Sequence, residues 1–223
     1  MLDDMHIKSN KIASNVYEPG INGLIRLIIA DRTNFRKAIN IQNTIFPEEN
    51  GTLNILASLG RDLFMEKTGL AYPDHHVRYW LAEMNGAYIG ITGLYYYDDD
   101  PDTVWLGWFG ILPEHRGQGY GRILLEKTMD MARAEGFGHL RLYTDYTGNH
   151  NAVLLYEQEG FIGERYTAEA LKYDCRVFSK CLGEGETILW NNRFLDLAYQ
   201  SELDHMNTEQ IKEITQIYID MFP

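Results

Sequence analysis

Apolar positions recur along this chain with two periods, and the switches between them mark out its elements. After a polar leader, residues 24–30 (LIRLIIA) form a short β-branched run bounded by Gly23 and Asp31, which predicts a buried strand. Phe35, Ala38, Ile41 and Ile45 follow at helical spacing, with Thr33 or Asn34 placed to cap that helix and Pro47 to end it. A second helix is predicted from about Thr52 to Lys67, with Leu56, Leu59 and Leu63 on one face and Gly69 beyond its end. VRYWLAEM (77–84) and AYIGITGLYYY (87–97) flank Asn85-Gly86, a dipeptide that favours a two-residue hairpin turn. The acidic turn DDDPD (98–102) then leads into TVWLGWFGIL (103–112), a third antiparallel strand.

Residues 121–135 read as a helix with Leu124, Leu125, Thr128, Met129, Met131 and Ala132 on its inner side and Gly136 at its end. HLRLYTD (139–145) is a strand, NAVLLYEQE (151–159) a short helix ended by Gly160, and DCRVFSK (174–180) another strand. The order is β-α-α-β-β-β-α-β-α-β, and the strand-helix-strand unit at 103–145 makes those two strands parallel. From about residue 183 the pattern changes. ETILWNNRFLDLAYQ (186–200) reads as a hairpin turning at Asn191-Asn192. NTEQIKEITQIYIDMF (207–222) reads as a helix capped by Asn207 and Gln210, with Ile211, Ile214, Ile217, Tyr218 and Met221 on one side. The chain therefore divides into a leader (1–23), one domain (24–182) and a C-terminal extension (183–223). The extension packs on the core or on a second copy, which would make a homodimer.

Composition narrows the class. The length of 223 residues suffices for a full core, and the hydrophobic content of 45% is that of a globular chain. No apolar run is long enough for a membrane span and the start of the chain lacks the apolar region of a signal peptide, so a cytoplasmic location without membrane is expected. A formal net charge of −12 argues against nucleic acid as a partner and permits a cationic one. Cys175 and Cys181 are the only cysteines. On one strand they would lie about 20 Å apart, too far for a disulfide, and they form no metal framework.

The candidate chemistry lies in LPEHRGQGYGR (112–122), where Gly117, Gly119 and Gly121 follow an apolar strand and open a helix. A nucleoside-triphosphate loop requires GxxxxGK[ST], but Arg122 and Ile123 stand where lysine and hydroxyl are needed. A dinucleotide fingerprint requires GxGxxG within a wound parallel sheet, whereas this loop is GxGxG after an antiparallel hairpin. The physics that remains is general. Unpaired amides at a helix N-terminus attract a pyrophosphate, glycines let it approach, and Arg116 and Arg122 add charge. A strand edge feeding such a loop can also pair with an extended, amide-bearing ligand. Pyrophosphate plus amide-bearing arm describes coenzyme A.

The segment resembles the GNAT N-acetyltransferase superfamily, whose loop signature R/Q-x-x-G-x-G/A stands here as Arg116-Gly117-Gln118-Gly119-Tyr120-Gly121. Its lead-in is Ile111-Leu112-Pro113. A second family signature, N-x-x-A-x-x-L-Y-x-x-x-G-F, is matched by Asn149, Ala152, Leu155, Tyr156, Gly160 and Phe161. The resemblance covers about residues 24–182. It implies an α/β fold with a mostly antiparallel sheet, a splayed parallel pair and helices on both faces.

By the same resemblance, backbone amides from Gln118 through Gly119, Tyr120 and Gly121 to Arg122 hold the pyrophosphate of acetyl-CoA. The main chain of Phe109, Gly110 and Ile111 pairs with the pantetheine arm, Asn149 bonds near that arm, and Tyr156 protonates the leaving thiolate. An N–H of Gly110 or Ile111 stabilises developing negative charge. No metal is implied.

The strand before the loop carries no glutamate, which many members place there as general base. At pH 7 only about one alkylamine in a few thousand is unprotonated, so a proton acceptor is still required. Glu48, Glu49, Glu83, His75, His76 and Asp98 to Asp100 are candidates by position alone. Trp105, Trp108, Tyr95, Tyr96 and Tyr97 line an acceptor pocket or fill the core. The expected function is acetyl transfer from acetyl-CoA to a primary amine (small molecule, peptide or protein lysine) by direct attack. The alternative is a non-catalytic acyl-CoA-binding module.

Overall fold

A computed structural model of the chain describes residues 16–17, 25–49, 51–70, 75–145, 150–168, 173–190 and 206–223. The two halves of the predicted hairpin at 85–86 form its centre. β3 (His75–Met84) and β4 (Ala87–Tyr97) pair in antiparallel register, and Asn85 and Gly86 both take positive φ (53° and 83°), the primed turn that this dipeptide favours. β1 (Val16–Tyr17) and β2 (Arg26–Ile29) extend the sheet on one side. On the other side lie β5 (Thr103–Leu106), β7 (His139–Asp145), β9 (Tyr173–Cys181) and β8 (Ile162–Ala168), while the short β6 (Gly110–Ile111) pairs with β4. Among the described residues the order is β1-β2-β3-β4-β5-β7-β9-β8, and β5 and β7 run parallel within this otherwise antiparallel sheet.

Helices cover both faces, as alternation along the strands requires. Trp80, Leu94, Val104, Leu106, Leu140, Leu142 and Phe178 point to one side. They pack there on α4 (Tyr120–Ala134) and α5 (His150–Gln158), with Leu124, Leu125, Met129, Val153 and Tyr156 facing them. Val77, Tyr79, Leu81 and Ile91 point to the other side, against α1 (Phe35–Ile45) and α2 (Thr52–Ser58).

Several expectations are corrected. The single helix from Thr52 to Lys67 is two, α2 and α3 (Arg61–Thr68), because Gly60 between them adopts φ 146°, outside the helical region. Asn34 precedes α1 without capping it. Its Oδ1 accepts from Asp31 N and its Nδ2 donates to Ile29 O, which fastens the helix start to the end of β2. The edge strand β8 is absent from the expected order, since IGERYTA is polar and Ile162 lies exposed on it.

In the extension, α6 (Thr208–Met221) has the expected capping box of Asn207 and Gln210. Ile214 and Tyr218 are buried in the cluster that contains Phe35, Leu53 and Leu56, whereas Ile217 and Met221 are exposed. Residues 186–190 are not a strand, and the rest of the expected hairpin lies outside the described residues. Trp190 nevertheless is buried against Tyr166, with its main-chain N–H donating to Glu164. Cys175 and Cys181 both lie on β9 and form no disulfide with each other. Among the described residues no helix is long and apolar enough to cross a membrane.

Candidate active site

The site begins as a break in the sheet. β5 pairs with β7 only from Thr103↔His139 to Trp105↔Arg141; beyond that, β7 pairs with β9 and β6 with β4. The expected continuous strand 103–112 is therefore two strands joined by a bulge. From Leu106 to Gly110 the chain advances four residues while its partner advances three, from Leu94 to Ile91. Past the bulge the pairing with β7 is not resumed, which leaves a gap in the ladder between residues 107–111 and 142–145.

Alternation decides what faces that gap. Leu112 N donates to Ile89 O at 2.9 Å, so the main-chain groups of Gly110 also point to β4, and those of Phe109 and Ile111 point away from it. Of the two amides expected to stabilise negative charge, Ile111 is the one directed at the gap. Its carbonyl is taken by Arg116, whose Nε donates to it at 2.9 Å. Gly110 is a glycine for another reason: a Cβ there would meet Ile45 Cγ2 at 2.6 Å, because α1 packs directly on the bulged strand.

The glycine loop continues from β6 through a 3₁₀ turn (Pro113–His115) into α4. Gly117 and Gly119 have φ of 74° and 81°. The amides of Gly117, Gln118, Gly119, Tyr120 and Gly121 have no acceptor among the described residues, whereas Arg122 N and Ile123 N donate to Gly119 O. The curled backbone with successive free N–H groups at a helix N-terminus forms an anion nest. The unpaired run is thus 117–121. Arg122 instead ties α4 to the end of α5, through Gln158 at 2.6 Å and Glu159 at 3.2 Å.

Gly121 has no conformational reason to be glycine, since it lies within α4 and a Cβ there would touch only Leu155 at 3.8 Å. What it keeps open is the space outside the chain, where a phosphate would approach. Gly121→Ala is therefore expected to stabilise the free protein by about 0.5–1 kcal/mol, from helix propensity, while weakening CoA binding. Thermal melts and calorimetry on the same variant check both halves.

Tyr156 lies on α5 and reaches the bulged strand through its ring contact with Phe109. It is 6% exposed and packs its ring on Phe109, Phe161 and Phe178 at centroid distances of 6.3, 5.9 and 5.5 Å. Burial pushes its phenol well above the ordinary tyrosine range, so the hydroxyl remains protonated at neutral pH. Asn149 lies outside the described residues.

On the opposite side of the bulge, Trp108 packs on Phe46 and donates from Nε1 to Asn54 at 3.2 Å. Beside it Gln42 is 0% exposed, and neither its Oε1 nor its Nε2 has a partner among the described residues. An unpaired buried polar group costs about 1–3 kcal/mol. Sequence reasoning passed over Gln42 because it falls at a core position of α1, and only its burial reveals the conflict.

The candidates for general base thin out. Asp98 and Asp100 lie at the closed end of the β5–β7 pair, bonded to His76 and Arg141. Glu83 is held by Arg26, whose hydrogen bond lowers its pKa and makes it a poorer base. Asp99 is exposed in the same turn as Asp98 and Asp100, the side chain of His75 lies outside the described residues, and Glu48 and Glu49 are exposed beyond the end of α1 near Phe46. The expected aromatic pocket also divides. Tyr96 packs with Phe137 on the α4 side, while Tyr95 and Trp105 stack on the other face.

The family model described as the acetyltransferase (GNAT) family matches residues 39–161. The chain is 30% identical over 94 residues to the mouse (Mus musculus) protein "Probable N-acetyltransferase family 8 member 5", and the match covers 41% of each. The ribosomal-protein-S18-alanine N-acetyltransferase from Escherichia coli has a similar fold, with a TM-score of 0.54 at 17% identity over 77% of this chain and 100% of that one. A putative acetyltransferase from Salmonella typhimurium, solved with its cofactor acetyl-CoA, gives a TM-score of 0.52 at 20% identity, over 73% of this chain and 96% of its own.

Proposed function

Because the chain belongs to the acetyltransferase (GNAT) family, we propose that it transfers an acetyl group from acetyl-CoA to a primary amine, with both bound together. The observation that carries this reading is the run of five unpaired amides, Gly117 to Gly121, after a strand whose Ile111 and Phe109 border the gap, with Tyr156 packed on Phe109. These amides would hold the pyrophosphate, and the outward edge of Phe109 would pair with the pantetheine arm. Acetyl-CoA supplies an activated thioester. Ile111 N–H stabilises the negative charge that develops on its carbonyl oxygen, and Tyr156 supplies a proton to the departing sulfur. Positioning of donor and acceptor in one site contributes much of the remaining rate.

Acetyl-CoA with a panel of amines, including polyamines, amino acids and peptides, tests this reading. Thiol release above background hydrolysis is the expected result, and tight CoA binding with no release across the panel would refute it. For an alkylamine acceptor, kcat/KM is expected to rise about tenfold per pH unit from 7 towards the amine's own pKa. Only the free amine attacks, and no carboxylate on the bulged strand takes its proton. A flat profile between pH 7 and pH 9 would require a dedicated base.

A further inference from the structure

Gln42 burdens the fold without a structural return. Ala38, Ile39 and Ile41 on the same helix are buried by apolar contact alone, and an apolar side chain of similar length would fill this position without desolvating an amide. The amide lies at a particular place. A Cβ built on Gly51 would fall 2.4 Å from Gln42 Nε2 and 2.6 Å from Trp108 Nε1, so the bare glycine is what leaves the amide and the indole room. Trp108 sits within the bulge whose next residues, Phe109 to Ile111, border the gap, and the same helix presses Ile45 on Gly110. One side of the bulge thus borders the gap proposed for the thioester, and the other meets an unpaired donor and acceptor held side by side.

A primary amide is complemented by one extended peptide residue, whose own N–H and C=O point to the same side. We propose that Gln42 is a specificity-determining residue and that the acceptor is an amine bearing a peptide group, as at a peptide N-terminus. Nε2 donates to the carbonyl and Oε1 accepts from the N–H of that one residue, the second of a dipeptide amide. The inference rests on the acetyl-transfer reading. Gly51 and Trp108 cover the amide, so the acceptor must move one of them to reach it. A simple alkylamine offers no carbonyl to Nε2 and gains nothing from Gln42.

The test compares the full chain with Gln42→Leu, using a dipeptide amide and an alkylamine of equal length as acceptors. Loss of the amide is expected to raise KM for the dipeptide amide about tenfold or more and to change that for the alkylamine less than about threefold. Affinity for acetyl-CoA stays unchanged and the melting temperature is equal or higher, the opposite of a structural defect. Gln42→Met, unbranched and of similar length, repeats the measurement if the leucine variant folds poorly. Equal changes for both acceptors, or no change for either, would overturn the assignment while leaving acetyl transfer intact. Failure of the unaltered protein to acetylate any amine, with acetyl-CoA still bound, would overturn the transfer reading and this inference with it.

Discussion

Replacing Gly119 by glutamate is expected to abolish binding of acetyl-CoA in calorimetry. Gly119 has φ 81°, a conformation that costs an L-residue about 1–2 kcal/mol, and Ala at this site should pay the same cost. No atom of the described chain lies within 4 Å of the position a Cβ would take, so the larger side chain is not excluded sterically. What separates glutamate from alanine is charge. A carboxylate about 4 Å from a pyrophosphate costs between ~1 kcal/mol in water and ~4 kcal/mol near a protein surface, per unit of charge. At about 1.4 kcal/mol per tenfold, a further loss on the order of 100-fold beyond that of Gly119→Ala follows, and it weakens at high salt. Equal affinities for the two variants, or a difference insensitive to salt, would mean that the unpaired amides of Gly117 to Gly121 face something other than phosphate.

The loop was legible in the sequence because glycine at Gly117 and Gly119 is a backbone requirement and leaves a fixed spacing. The hairpin at Asn85-Gly86 and the capping box of Asn207 and Gln210 were legible for the same reason, since each is a local rule satisfied by adjacent residues. The bulge at 107–109 was not. TVWLGWFGIL reads as one strand, and the extra residue appears only when Leu106 and Gly110 are paired against Leu94 and Ile91. Gly60 was passed over because an isolated glycine within a periodic run is compatible with a helix, and φ 146° is a tertiary outcome. Gln42 is the sharpest case. Its position in the helix predicts burial, its chemistry predicts exposure, and sequence alone cannot say which prevails. The general base stayed out of reach because it depends on which carboxylates the fold brings to the gap. Asp98 and Asp100 are near the loop's strand in sequence and at the opposite end of it in space.

Tyr156→Phe is expected to lower kcat about 100-fold while leaving acetyl-CoA affinity and acceptor KM nearly unchanged, within the usual range for loss of a general acid. The substitution removes one oxygen and keeps the ring, so the contacts with Phe109, Phe161 and Phe178 survive and the fold should remain close to its original stability. The ring alone could be the reason for a tyrosine here, because it fills the junction of α5, the bulge and β9. The raised pKa is common to both roles, and it fixes the pH behaviour expected of the first. Burial disfavours the phenolate, so the hydroxyl stays protonated and able to donate across the neutral and mildly alkaline range. The unaltered protein should therefore show no loss of rate from ionisation of Tyr156 below about pH 10, the range in which an exposed tyrosine begins to ionise. The phenylalanine variant should show its deficit at every pH, and most strongly with poor thiolate leaving groups, which depend most on a proton. If kcat for Tyr156→Phe matched the unaltered protein with both good and poor leaving thiols, the tyrosine would be a packing residue. Protonation of the thiolate would then fall to solvent entering the gap between β6 and β7.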